Sequence, residues 1–177
     1  MTIDNLMQAY KSLGVNLTLE NAKLLMKRYD NDRDGQMTYT DICDIYRPRD
    51  PTLAKELKTR LPFDHKSTEK NLSYSTLACL RTLFHKTLQV EQNIELLKSE
   101  LHSRPDFDLS SAFKVINRTN KSANENFISQ SEFKDILASH GVFTMDRDVK
   151  SLFNRFDKDG DGKINYKDFA NEMLTVE

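Results

Sequence analysis

The stretch DKDGDGKINYKD, Asp157 to Asp168, decides the fold of this chain. Asp157, Asp159 and Asp161 stand at its positions 1, 3 and 5, and Gly162 stands at 6. Lys163 offers a backbone carbonyl at 7, Asn165 stands at 9, and Asp168 closes the stretch at 12. A calcium ion takes six to eight oxygen ligands, and a twelve-residue loop supplies them from positions 1, 3, 5, 7, 9 and 12, with glycine at 6 for the sharp turn. Ile164, at position 8, can turn an apolar side chain to a core while a short strand pairs with a neighbouring loop. One position departs from the pattern. Position 12 normally carries a Glu that clamps the ion with both oxygens, and here it is Asp168.

The same pattern occurs a second time. In DNDRDGQMTYTD, Asp30, Asp32 and Asp34 fall at positions 1, 3 and 5, with Gly35 at 6. Gln36 gives a carbonyl at 7, Met37 is the apolar position 8, Thr38 is at 9 and Asp41 closes. A pair of acidic surface turns is the bland alternative, and two independent matches to the full spacing disfavour it. With these loops the chain resembles the EF-hand superfamily, in the manner of calmodulin, troponin C and centrin. The resemblance covers residues 1–46 and about 106–177 and leaves the middle third uncovered. It implies an all-α EF-hand fold; taken with the reading of the middle third below, the expectation is two unequal lobes with a long central helix.

The loops start at 30 and 157, and an offset of 127 residues aligns more than the loops. Gly14 meets Gly141, Val15 meets Val142, Leu25 meets Leu152, Leu6 meets Phe133 and Ile42 meets Phe169. This is an internal repeat. In the second copy SSAFKVINR reads as an entering helix, and Ser129 with Glu132 reads as a capping box at the start of the next. The loop between them is poor in ligands. With Glu132 at position 12, position 1 is Lys121 and position 3 is Ala123, and a register starting at Asn117 makes the loop longer. Either register reads as a metal-free hand. In the first copy the equivalent of residues 110–127 would precede Met1, so the first lobe is expected to lack half a hand. Leu6, Tyr10 and Leu13 then need cover from the middle third or from a partner.

Residues 47–74 read as a linker punctuated by Pro48, Pro51 and Pro62. Residues 75–102 contain no Pro or Gly and read as one long helix. Leu77, Leu80 and Phe84 mark one apolar stripe, and Val90, Ile94, Leu97 and Leu101 another, with a shift of phase near Leu88. The expectation is a helix packed on the first lobe. A self-associating coiled coil is disfavoured by the phase shift.

Composition excludes several classes of function. A formal net charge of −1 gives no general pull toward nucleic acid or an anionic membrane. No run of apolar residues is long enough to span a bilayer, and no secretory signal opens the chain. Cys43 and Cys79 are too few for a disulfide framework, so a reducing, cytoplasmic setting is the default. His65, His85, His102 and His140 lack the spacing of a transition-metal site. No phosphate loop or catalytic constellation can be nominated.

The expected protein is therefore a non-catalytic calcium-binding subunit, regulatory or structural, docked on a dedicated helix or filament surface of a larger assembly. A cytoskeletal or ciliary setting follows from the family's habits. The alternative is a free sensor that opens on calcium and captures a target helix. The second lobe is rich in Phe and holds only Met145 and Met173; Met suits many targets, so this composition favours one partner. Asp at position 12 tends to give one oxygen, which lowers the coordination number toward the six that magnesium prefers. Magnesium is thus a possible occupant of the same two sites.

Overall fold

The computed structural model describes residues 1–30, 32, 34–48, 50–60, 72–118 and 126–175. They form helices and one short two-stranded ribbon, in two compact units. The first unit spans residues 1–95 and the second begins at Leu96.

The first unit opens with α1 (Ile3–Ser12), capped by Thr2, whose hydroxyl accepts from the Asn5 amide. Leu6 and Tyr10, one turn apart, point inward from it. Gly14 ends the segment at a φ of 75°, a left-handed conformation that costs little only for glycine, and the Val15 amide donates back to the Tyr10 carbonyl. Helix α2 (Leu19–Tyr29), capped by Thr18, buries Ala22, Leu25 and Met26 and stops where Asp30 begins the loop. Helix α3 (Tyr39–Tyr46) leaves the loop. Helix α4 (Pro51–Thr59) has Asp50 as its cap and Pro51 at its first position, both favourable there. It buries no residue.

Helix α5 (Tyr74–His102) is 29 residues long, about 43 Å at 1.5 Å per residue. Residues 74–95 group with the first unit and 96–102 with the second, so the expected single-lobe helix is divided between the two. Leu88 is buried among Leu6, Tyr10, Leu25 and Met37, and Phe84 packs against the same cluster. Phe84 stacks on Tyr46 with ring centres 4.6 Å apart and meets Tyr10 edge-on at 4.8 Å. Burial and the Tyr46 hydroxyl at 3.5 Å push the Tyr10 phenol up from its ordinary value. Leu25 is 2% exposed, whereas its repeat-mate Leu152 is 39% exposed. The difference fits the cluster that Leu25 shares with Leu88. Within the second unit Lys98 pairs with Glu172 of the last helix at 3.7 Å, and the His102 ring lies 3.1 Å from the Met173 carbonyl.

The second unit follows with α6 (Leu109–Arg118), β1 (Phe127–Ser129), α7 (Gln130–Ser139), α8 (Asp146–Phe156), β2 (Lys163–Asn165) and α9 (Tyr166–Met173). Strands β1 and β2 pair antiparallel, with Ile128 opposite Ile164. Phe113, Phe133, Phe153 and Phe169 fill the core around these isoleucines. The predicted capping box forms: the Glu132 carboxylate accepts from the Ser129 amide at 2.8 Å, and the Ser129 hydroxyl caps α7. The first unit reproduces the ribbon in miniature. Met1 and Met37 stand 127 residues before Ile128 and Ile164, and they exchange two backbone hydrogen bonds of 2.7 and 2.9 Å.

Residues 119–125, which carry Lys121 and Ala123, lie outside the described residues, and so do residues 61–71 of the linker.

Candidate metal centres

Each loop gathers three carboxylates. Asp30, Asp32 and Asp34 each offer an oxygen within 4.8 Å of the others, and Asp157, Asp159 and Asp161 do the same. The first member of each triad is buried and the other two are exposed. Helices α2 and α8 deliver these residues, because Asp30 and Asp157 are the residues on which the helices end.

The backbone wraps around the first carboxylate in both loops. The Asp30 carboxylate accepts from the Gly35 amide at 2.9 Å. The Asp157 carboxylate accepts from Gly160 at 2.9 Å and Gly162 at 3.0 Å. Gly35 and Gly162 both adopt a φ of 80°, which lets the chain double back at position 6. Asp34 and Asp161 accept from the amides two residues on, at 2.7 and 2.8 Å. Among the described residues, loop amides thus donate to the carboxylates at positions 1 and 5 of both loops.

Charge is crowded in this arrangement. Burial raises the Asp157 carboxyl above its usual range, and the neighbouring Asp159 and Asp161 add to the shift. The hydrogen bond with Asp30 raises Asp32. Carboxylates packed this closely disfavour one another's charged form unless a cation sits among them. A hard, oxygen-only donor set of this density fits a divalent ion such as calcium.

The closing residues behave differently. Asp41 and Asp168 stand outside the tight triads. One oxygen of Asp41 accepts from the Thr38 amide and hydroxyl, both at 2.7 Å, and one oxygen of Asp168 accepts from the Asn165 amide at 3.0 Å. Each forms the capping box of the helix leaving its loop. Asp168 still feels the triad: its carboxyl is raised, first by burial and then by Asp159, Asp161 and Asp157. The position-9 side chains are also engaged. Thr38 donates to Asp41, and Asn165 accepts from the Lys167 and Asp168 amides. Gln36 and Lys163, nominated for their carbonyls, occupy position 7, where their amides brace Asp34 and Asp161.

Sequence reasoning named the oxygen donors and missed the charges behind them. Arg28 lies two residues before the first loop and Arg155 two residues before the second, at matching positions of the repeat. Arg155 donates to buried Glu172 of α9 at 2.6 Å. Arg28 faces buried Glu91 of α5 at 4.0 Å, and the Tyr29 hydroxyl donates to the same carboxylate at 3.1 Å. In the first copy the position of Glu172 is Ile45, so α5 supplies the acid from elsewhere. The repeated arginine was the available signal.

Two family models match the chain. Residues 1–47 match one described as an EF-hand domain pair, and residues 119–174 match another with the same description. Such domain pairs are in general calcium-binding and non-catalytic. No helix among the described residues is long and apolar enough to cross a membrane.

Proposed function

The chain belongs to the EF-hand superfamily of calcium-binding proteins, and on that premise we propose that it is a non-catalytic regulatory or structural subunit docked in a larger protein assembly. A cytoskeletal or ciliary assembly is the setting this reading favours. One observation carries it: Phe84 and Leu88 of α5 already occupy the apolar face of the first unit. A lobe whose face is filled by its own chain has little left with which to capture a target helix on demand. The first unit then serves as a fixed part, and docking falls to other surfaces.

The free-sensor reading has its own support in a cavity of about 220 Å³ in the first unit, lined by Leu6, Tyr10, Leu25, Ile42, Ile45 and Phe84. Cell fractionation separates the two. A docked subunit stays with a detergent-insoluble assembly when calcium is chelated. A sensor is soluble without calcium and associates only when calcium is added, and that result would defeat the docking reading.

Asp30, Asp32, Asp34 and Asp41 hold one ion in this reading, and Asp157, Asp159, Asp161 and Asp168 hold the other, with the carbonyls of Gln36 and Lys163. Thr38 and Asn165, engaged as helix caps, act through a bridging water. The closing aspartates explain the strength expected of the sites. An oxygen of each is engaged by a backbone amide, which leaves one to face the ion. Calcium is bound more weakly than by a Glu-closed loop, and magnesium is discriminated against less. Asp168→Glu is expected to tighten calcium at the second loop by about tenfold, near 1.4 kcal/mol, measured by titration calorimetry. Unchanged or weaker binding would refute the role given to the clamp.

A further inference from the structure

A buried carboxylate stands behind each metal centre, and the two carboxylates have different origins. In the second unit Glu172, 7% exposed, pairs with Arg155 and belongs to α9, the helix that leaves the same loop. In the first unit the repeat position of Glu172 is Ile45, and Glu91 of α5, 3% exposed, takes over the part. One oxygen of Glu91 faces Arg28 Nε at 4.0 Å and accepts from the Tyr29 hydroxyl at 3.1 Å. Arg28 and Tyr29 are the last two residues before Asp30, the buried ligand on which α2 ends. Glu91 therefore grips the end of the helix that delivers the first ligand, and it offsets a positive charge close to a site for cations. Its neighbours on α5 keep it there: Arg81 Nε donates to the Leu13 carbonyl at 2.5 Å, and Gln92 Nε2 donates to Asn21 Oδ1 at 3.1 Å. Yet α5 lies outside residues 1–47, the stretch that matches an EF-hand domain pair.

We propose that Glu91 is a positioning residue of the first metal centre, so that filling the first loop and seating α5 on the first unit are coupled. The proposal rests on the reading of Asp30 to Asp41 as a divalent-cation site. With α5 seated, the arginine two residues before the first ligand is offset by a carboxylate. Without Glu91 that arginine is an uncompensated, largely buried charge, which is costly in itself and works against a cation nearby. Coupling of this kind is reciprocal: seating α5 tightens the ion, and the ion tightens the seat of α5. The second centre draws its carboxylate from its own domain pair, residues 119–174, and is independent of Glu91. A partner that lifts α5 off the first unit would then weaken the first ion and spare the second.

Calcium titration of the full chain and amide hydrogen exchange along α5 test this together. The Asp157→Ala chain isolates the first loop for titration, and the Asp30→Ala chain isolates the second. Glu91→Gln keeps the shape of the side chain and an acceptor for Tyr29, and removes the charge. It is expected to weaken calcium at the first loop by about tenfold and to leave the second loop unchanged. Adding Arg28→Gln should restore most of the lost affinity, a rescue that a purely structural role for Glu91 would not give. In the chain with Glu91 intact, the amides of residues 84–92 are expected to exchange more slowly once calcium is bound. Asp30→Ala should abolish that slowing, and Asp157→Ala should preserve it. Unchanged affinity in Glu91→Gln, no rescue by Arg28→Gln, or α5 amides indifferent to calcium would each overturn the proposal. An unaltered chain with no ion at the first loop would instead overturn the reading of the loop itself.

Discussion

Residues 1–46 alone are expected to be largely unfolded even with calcium, whereas residues 1–95 are expected to fold. The short fragment keeps both helices that flank the first loop and the loop itself. It loses Phe84 and Leu88, which complete the cluster of Leu6, Tyr10, Leu25 and Met37, and Glu91, which accepts from Tyr29. Burying one such apolar side chain is worth roughly 1.5–3 kcal/mol, and the net stability of a whole domain is only about 5–15 kcal/mol. A fragment this small has no margin from which to lose two of them. In the full chain Leu88→Ala is expected to destabilise the first unit by about 2–4 kcal/mol and to spare the second, whose core lies in α6–α9. Dispersed amide resonances and a cooperative melt from residues 1–46 would contradict this.

Asp157→Ala is expected to remove the second ion and leave the first, and Asp30→Ala the reverse. Position 1 is the buried member of each triad, around which the loop amides converge. Its loss takes a ligand and the anchor of the loop together. A fall in affinity of about a hundredfold or more at the altered loop, near 2.8 kcal/mol, is expected. The loops belong to different units, so the untouched site should titrate as before. Loss of both ions from either change would mean that the units do not bind independently.

The loops and the repeat were legible because ligand chemistry dictates residue type position by position. Oxygen donors recur at 1, 3 and 5, glycine at 6 and an apolar residue at 8, and the helix caps Thr38 and Ser129 follow from local rules of the same kind. The middle third was harder for a physical reason. Its apolar stripes show that α5 has faces to bury, and say nothing of what lies opposite each one. Phe84 and Leu97 read alike in the sequence; one packs against Tyr10 and Tyr46, and the other is exposed. Glu91 and Glu172 look like surface charges on helices. Their burial depends on arginines distant in sequence, and local pattern does not carry that information. The two capping boxes at Thr38 and Asn165 sit between these cases. Their local signature was present, and its consequence, that Asp41 and Asp168 each spend an oxygen on the helix, emerged only from the hydrogen bonds.

Calorimetric titration of the full chain with calcium, repeated in millimolar magnesium, tests the central claim most directly. Two ions per chain are expected, one at each Asp-closed loop, with both affinities reduced by magnesium. A third ion, a single ion or no binding would contradict the account, and so would calcium affinities that magnesium leaves unchanged.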